Sequence, residues 1–180
     1  MINISDDAWE NEIAIRRLPS VELQFFTWAQ LVDHRKIARC IDLTTRVCKL
    51  YIRRSTCWSL PLIGRNVTTL DLASVFLVPE LRGKGWFKDF IDLADHAVPW
   101  DAILVECVHN PRLRSYLLSS GFIEVGQDNF YRPTKSWRVK HSWDEKSREL
   151  AAAEARASKP SSFLEFEEVV DVEHCAVLRA

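Results

Sequence analysis

Glycine is scarce in this chain: five among 180 residues, two of them, Gly83 and Gly85, within a single turn. The five cysteines, Cys40, Cys48, Cys57, Cys107 and Cys175, are odd in number and dispersed, with no CxxC pair. That excludes a disulfide framework and a Cys-rich zinc site, so no metal is expected and the thiols read as reduced, in a cytoplasmic setting. No stretch approaches the roughly 18 consecutive apolar residues of a spanning helix, and the start, MINISDDAWENE, has no basic segment followed by an apolar one. A soluble protein that is not exported is the expectation. Excess positive charge is lacking too. The formal net charge of -1 argues against a chain that coats nucleic acid, because that affinity comes from clustered Lys and Arg neutralising phosphates.

What is present is a chain 47% hydrophobic and 27% charged, enough to bury one sizeable core. We read one main domain over residues 1–134 and an extension over 135–180. The last twenty residues carry Glu165, Glu167, Glu168, Asp171 and Glu173 against Arg179 alone. The acidity is therefore local, and the rest of the chain is slightly basic.

Along the chain, EIAIRRL (12–18) alternates like a strand, and Ser20 after Pro19 caps a helix to about residue 33, with Leu23, Phe26 and Leu31 in its buried stripe. KIARCIDLTTR (36–46) reads as a second helix. VCKLYIRR (47–54) and CWSLPLI (57–63) read as strands, and TTLDLASVFLVP (68–79) as a central strand covered on both faces. After the glycine turn, WFKDFIDLADHA (86–97) has helical spacing, with Phe87, Phe90, Ile91 and Ala94 inward and Lys88, Asp89, Asp92 and Asp95 outward. DAILVECV (101–108) is a second buried strand. NPRLRSYLLSS (110–120) is a short helix capped by Asn110 and stopped by Gly121, and FIEVG and NFYRP form a hairpin. Residues 137–158 suggest an appended helix, with Val139, Trp143, Leu150 and Ala153 on one face, and 163–178 a final strand or an acidic tail. The order of elements predicts an α/β domain with a mixed central sheet flanked by helices.

The stretch LVPELRGKGWFKDF (77–90) carries the chemistry. A strand that feeds two glycines at the entrance of a helix turns several backbone N–H groups toward one point, and the helix dipole adds to them. Such a turn cradles an anion, most often phosphate, and Arg82, Lys84 and Lys88 surround it with positive charge. A nucleotide P-loop would need Ser or Thr after the lysine, where Gly85 stands. The dinucleotide fingerprint would need glycine where Lys88 stands.

VPELRGKGWF instead resembles the [QR]-x-x-G-x-[GA] loop of the GCN5-related N-acetyltransferase family. Arg82 is in the first motif position, Gly85 in the fourth, and Phe87 stands where Gly or Ala is usual. The second landmark of that family, N-x-x-A-x-x-L-Y-x-x-x-G-F, is echoed by NPRLRSYLLSSGF, with Asn110, Gly121 and Phe122 in register. The resemblance covers residues 68–126, and upstream only the order of elements agrees.

The resemblance implies acetyl-CoA, a coenzyme A thioester, held where two parallel strands splay apart. Backbone groups around Phe76, Leu77 and Val78 would meet the pantetheine arm. The amides of Gly83, Lys84, Gly85 and Phe87, with Arg82 and Lys88 nearby, would take the pyrophosphate, and Asn110 a polar group of the cofactor. It implies N-acetyl transfer to a primary amine by direct attack, which needs a base and optionally an acid for the departing sulfur. The base candidates are Asp71, with Thr69 on its face, and Glu106. The family's acid would fall on Leu117, with Tyr116 one residue earlier. Cys107 and His109 form a nucleophile-and-base pair only if a carboxylate orients the histidine. A different class also fits: a catalytically weak or inactive member of the same fold that binds or inhibits a protein partner through its C-terminal extension.

Overall fold

The computed structural model describes residues 4–126, 128–143, 149–150 and 153. Asp7 accepts a hydrogen bond from the amide of Trp9 and so starts helix α1, Ala8–Arg16. The strand expected over 12–18 is therefore helical. Its short alternation of isoleucines is compatible with either period, and the upstream cap decides between them. Asn11 fixes the helix from inside, its amide donating to the carbonyls of Ser5 and Lys36.

Ser20 caps α2, Val21–Val32, as expected. Its inward face is Val21, Gln24, Phe25, Trp28, Ala29, Leu31 and Val32, while Leu23 and Phe26 face outward. Of the three residues expected in the buried stripe, Leu31 is there and Leu23 and Phe26 are not. The second expected helix, 36–46, is a turn followed by strand β1, Cys40–Thr44. There Ile41 and Leu43 point inward at a period of two, and pairing with the next strand outweighs any helical tendency.

β2, Cys48–Leu60, and β3, Gly64–Leu77, are long antiparallel partners joined by a tight turn. The strand expected over 57–63 ends at Leu60 because Pro61 enters the turn, where Leu62 and Gly64 take positive φ angles. α3, Trp86–Ala97, crosses to β4, Ala102–Val105, which pairs parallel to β3. α4, Pro111–Ser119, leads to the hairpin β5, Ile123–Val125, and β6, Asn129–Pro133. The sheet order is β1-β2-β3-β4-β6-β5, an α/β architecture with a mixed six-stranded sheet and flanking helices.

One apolar cluster joins Ile15 of α1, Phe25 and Trp28 of α2, Phe90 and Ile91 of α3 and Leu117 of α4 to Leu50, Leu70, Leu72, Ile103 and Val105 of the sheet. Helices α1 to α4 therefore pack on a single face. The intervening residues Val67, Ala102, Leu104 and Tyr131 form a smaller cluster on the opposite face.

Asp95, expected on the outside of α3, is buried. It receives the amide of Lys135 and the guanidinium of Arg138 and lies 3.4 Å from Arg132. These contacts dock α5, Lys135–Lys140, which Thr134 caps. Trp137 of α5 is buried and Trp143 packs on the smaller cluster, whereas Val139 faces outward, so these residues do not share one face. The rest of the expected appended helix lies largely outside the described residues, and the acidic segment 163–178 wholly so. Among the described residues no helix is long and apolar enough to cross a membrane.

Candidate active site

β3 and β4 pair from Thr69 with Ala102 to Leu72 with Val105, and the amide of Glu106 makes the last bond, to Leu72 O. Beyond it the strands part. Cys107 takes a positive φ and donates its amide to Asn129 Oδ1, and Val108 donates to Asp128 O, so this chain follows the β6 hairpin. β3 continues along β2. A bulge leaves Ala73 unpaired between Leu72 opposite Ile52 and Ser74 opposite Tyr51. Bulges bend a strand and re-aim its side chains, and this one sits where the gap opens.

The bulge also decides which backbone groups face the gap. Val78 N–H donates to Val47 O on the β2 side. Alternation then turns the backbone of Phe76 toward β2 and that of Val75 and Leu77 toward the gap. Of Phe76, Leu77 and Val78, Leu77 is the one on the open edge, and Arg82 Nε donates to its carbonyl at 2.8 Å. Val75 was not anticipated, because a one-residue bulge leaves no mark in the hydrophobic pattern. The Phe76 ring is 49% exposed on the helix-free face, with the Arg82 guanidinium 5.8 Å from its centre.

At the end of the open edge a 3-10 turn, Pro79–Leu81, leads into the glycines. Gly83 and Gly85 have φ of +72° and +88°, and a Cβ on either would meet nothing within 4 Å. Conformation, and not crowding, demands glycine here, and open space lies in front of the turn. Gly85 precedes α3, whose start has no side-chain cap. Among the described residues, the amides of Gly83, Lys84, Gly85, Trp86 and Phe87 have no acceptor. Arg82, Lys84 and Lys88 are exposed, with no ion pair among the described residues. Unsatisfied donors, an oriented helix and open room fit a pyrophosphate. Trp86, which the sequence reading passed over, anchors this start: its indole donates to Glu22 Oε1 at 2.7 Å and stacks on Phe90.

Phe87 is half-buried and meets Tyr116 of α4 edge to face, with ring centres 6.4 Å apart. Leu117 is fully buried, so Tyr116 is the residue of this pair that meets α3, through Phe87. Its hydroxyl has no hydrogen-bond partner among the described residues. Asn110 caps α4 with its Oδ1, which accepts from Arg112 and Leu113 and leaves its side-chain NH2 free of that task.

On the helix-free face, Asp71 is buried. Its Oδ2 accepts from the Ser55 hydroxyl and from Trp58 Nε1 at 3.1 Å, and its Oδ1 from the Thr69 hydroxyl at 2.5 Å. Arg53, opposite Asp71 in register, donates from Nη2 to Glu106 Oε1. The structure thus brings Asp71 and Glu106 into one cluster beside the gap, with Thr69 as a hydrogen-bond donor to Asp71. His109 Nδ1 does have a carboxylate, Asp128, at 3.5 Å, but no hydrogen bond joins the imidazole to Cys107 among the described residues. Nor do those residues include a cluster of three or more metal-ligating side chains.

No family model and no curated protein sequence matches the chain. Among solved structures, a tyrosine-to-phenylalanine mutant of the AtaT toxin, bound to the C-terminus of the antitoxin AtaR, aligns with 52% of this chain and 62% of its own length, at 21% identity and a TM-score of 0.42. The same toxin mutant with both the antitoxin C-terminus and acetyl-CoA aligns with 79% of this chain and 94% of its own, at 20% identity and 0.43. A tyrosine-to-phenylalanine mutant of KacT aligns with 56% and 72%, at 17% identity and 0.42. At such scores a likeness is silent about chemistry.

Proposed function

We propose that the protein is an acyl-CoA-dependent N-acyltransferase, with acetyl-CoA as donor and a primary amine as acceptor. The observation that supports this reading most is the coincidence of two unsatisfied features at one place: the uncapped glycine turn and the open edge of β3, separated only by a short 3-10 turn. A pyrophosphate with an extended arm has the chemistry to satisfy both.

In this reading the free amides from Gly83 to Phe87 take the pyrophosphate, with Lys84 and Lys88 attracting its charge. Val75 and Leu77 offer backbone groups to the arm. The bound thioester supplies an activated acyl carbon. Glu106, at the mouth of the gap on the helix-free face, takes the proton from the attacking amine as the C–N bond forms. Tyr116, on the helix side next to Phe87, gives its proton to the sulfur as the C–S bond breaks. Asp71 serves as an anchor, because three donors already occupy its oxygens. The base and the acid thus approach from opposite faces of the sheet.

Calorimetry and thermal shift with acetyl-CoA test the donor, and thiol release with n-butylamine tests transfer. Binding that is lost in Gly85→Glu supports the reading. Absence of any stabilisation by millimolar coenzyme A would sink it.

A further inference from the structure

Arg53 was singled out by no motif, yet it joins three strands. It stands on β2 opposite Asp71 of β3, its Nε lies 3.8 Å from Asp71 Oδ2, and its Nη2 donates to Glu106 at the end of β4. Side-chain exposure rises along this row, from 1% at Asp71 through 13% at Glu106 to 37% at Arg53. The buried end is rigid: Ser55, Trp58 and Thr69 all donate to Asp71. At the other end Glu106 adjoins the bend at Cys107, and among the described residues its side chain pairs with Arg53.

Burial alone would lower the pKa of Arg53. The hydrogen bond and charge of Glu106, with the charge of Asp71 behind it, overcome that and raise it. The guanidinium is therefore a permanent cation shared between two carboxylates. A planar fork suits such sharing, since one edge can rest on Asp71 while an arm reaches Glu106, whereas an ammonium is a single point of charge. Two carboxylates and one cation also leave the row as a whole with a residual negative charge, which draws an incoming ammonium group to Glu106, where it would lose its proton.

We propose that Arg53 is a positioning residue that, seated on Asp71, aims the Glu106 carboxylate at the mouth of the gap between β3 and β4. This rests on the acyl-transfer reading above. Arg53 touches no reacting atom; it restricts Glu106 to orientations that face the gap. Geometry of this kind acts on the proton-transfer step and not on donor binding.

The test compares two acceptor probes with acetyl-CoA. n-Butylamine is protonated at neutral pH and must lose a proton before it can attack, whereas hydroxylamine arrives neutral and loses only the proton released as the C–N bond forms. Arg53→Ala is expected to lower kcat about 100-fold with n-butylamine and less than about tenfold with hydroxylamine, in keeping with the usual worth of a general base. Acetyl-CoA affinity by calorimetry stays within about threefold. Arg53→Lys recovers part of the n-butylamine rate. Equal losses with both probes, or no loss, would overturn the proposal.

A second measurement stands apart from turnover. In protein labelled at glutamate carboxyl carbons, the Glu106 resonance, assigned with Glu106→Gln, is expected to move in Arg53→Ala. An unmoved resonance overturns the role of Arg53 even where neither probe is acylated. Failure of the wild-type protein to bind acetyl-CoA is a separate result, and it counts against the acyl-transfer reading itself.

Discussion

Strand β3 has two halves with opposite fates. From Thr69 to Leu72 it is flanked by β2 and β4, and all four residues are buried. From Ser74 to Leu77 it keeps β2 on one edge and loses β4 on the other, and Ser74 and Phe76 become exposed. The same backbone thus supplies stability in its first half and unsatisfied hydrogen-bonding capacity in its second. Leaving such groups unpaired inside a sheet is costly unless water or a ligand meets them. The contrast teaches where to look for a ligand: at the residue where a central strand stops being central.

The largest effects should separate the two halves. Leu72→Ala, in the fully buried half, is expected to cost about 3 kcal/mol in denaturant unfolding, as deletions of buried leucine side chains do. Phe76→Ala, in the open half, should cost less than about 1 kcal/mol, because its ring is already half in water. Comparable losses at the two positions would break the comparison. Next in size, Gly85→Ala forces a Cβ onto a left-handed backbone and should destabilise by about 1–2 kcal/mol. It should also weaken acetyl-CoA binding by about tenfold, if reorientation of the turn's amides costs one hydrogen bond. Unfolding and calorimetry on the same preparation separate the two effects.

The same division explains what could be read from the sequence. Helix α3 lies within its expected limits because Gly85 and the amphipathic run from Phe87 to Ala94 are local signals. The Asn110 cap and the β5–β6 hairpin were legible for the same reason. β1 was not, since Ile41 and Leu43 become a strand only through pairing with β2, a contact between distant residues. In the candidate site, the glycine turn was readable from its residues alone. Arg53 was not, because cross-strand register places it beside Asp71 and Glu106 and spacing along the chain does not reveal register. Nor was the turn of the Val75 backbone toward the gap, which depends on a bulge of one residue.

The smallest effect concerns the closed edge of the open half, where Cys48 lies opposite Leu77. Burial, helped by the negative charge of Glu22, pushes the Cys48 thiol up from 9.0 to about 11. Below pH 9 the thiol is protonated in both folded and unfolded chains, and its contribution to stability is fully present. Between pH 9 and about 11 the unfolded chain loses this proton while the folded one keeps it, so stability falls as pH rises and the loss is complete above about 11. Cys48→Ala should therefore flatten the decline of unfolding free energy across that window, by a modest amount because other groups titrate alongside it. Iodoacetamide should likewise modify Cys40, Cys57 and Cys107, all exposed, well before Cys48. If Cys48 reacted as fast as these three, the edge shared with β2 would be as open as the one facing β4, and the two edges of this half-strand would no longer differ.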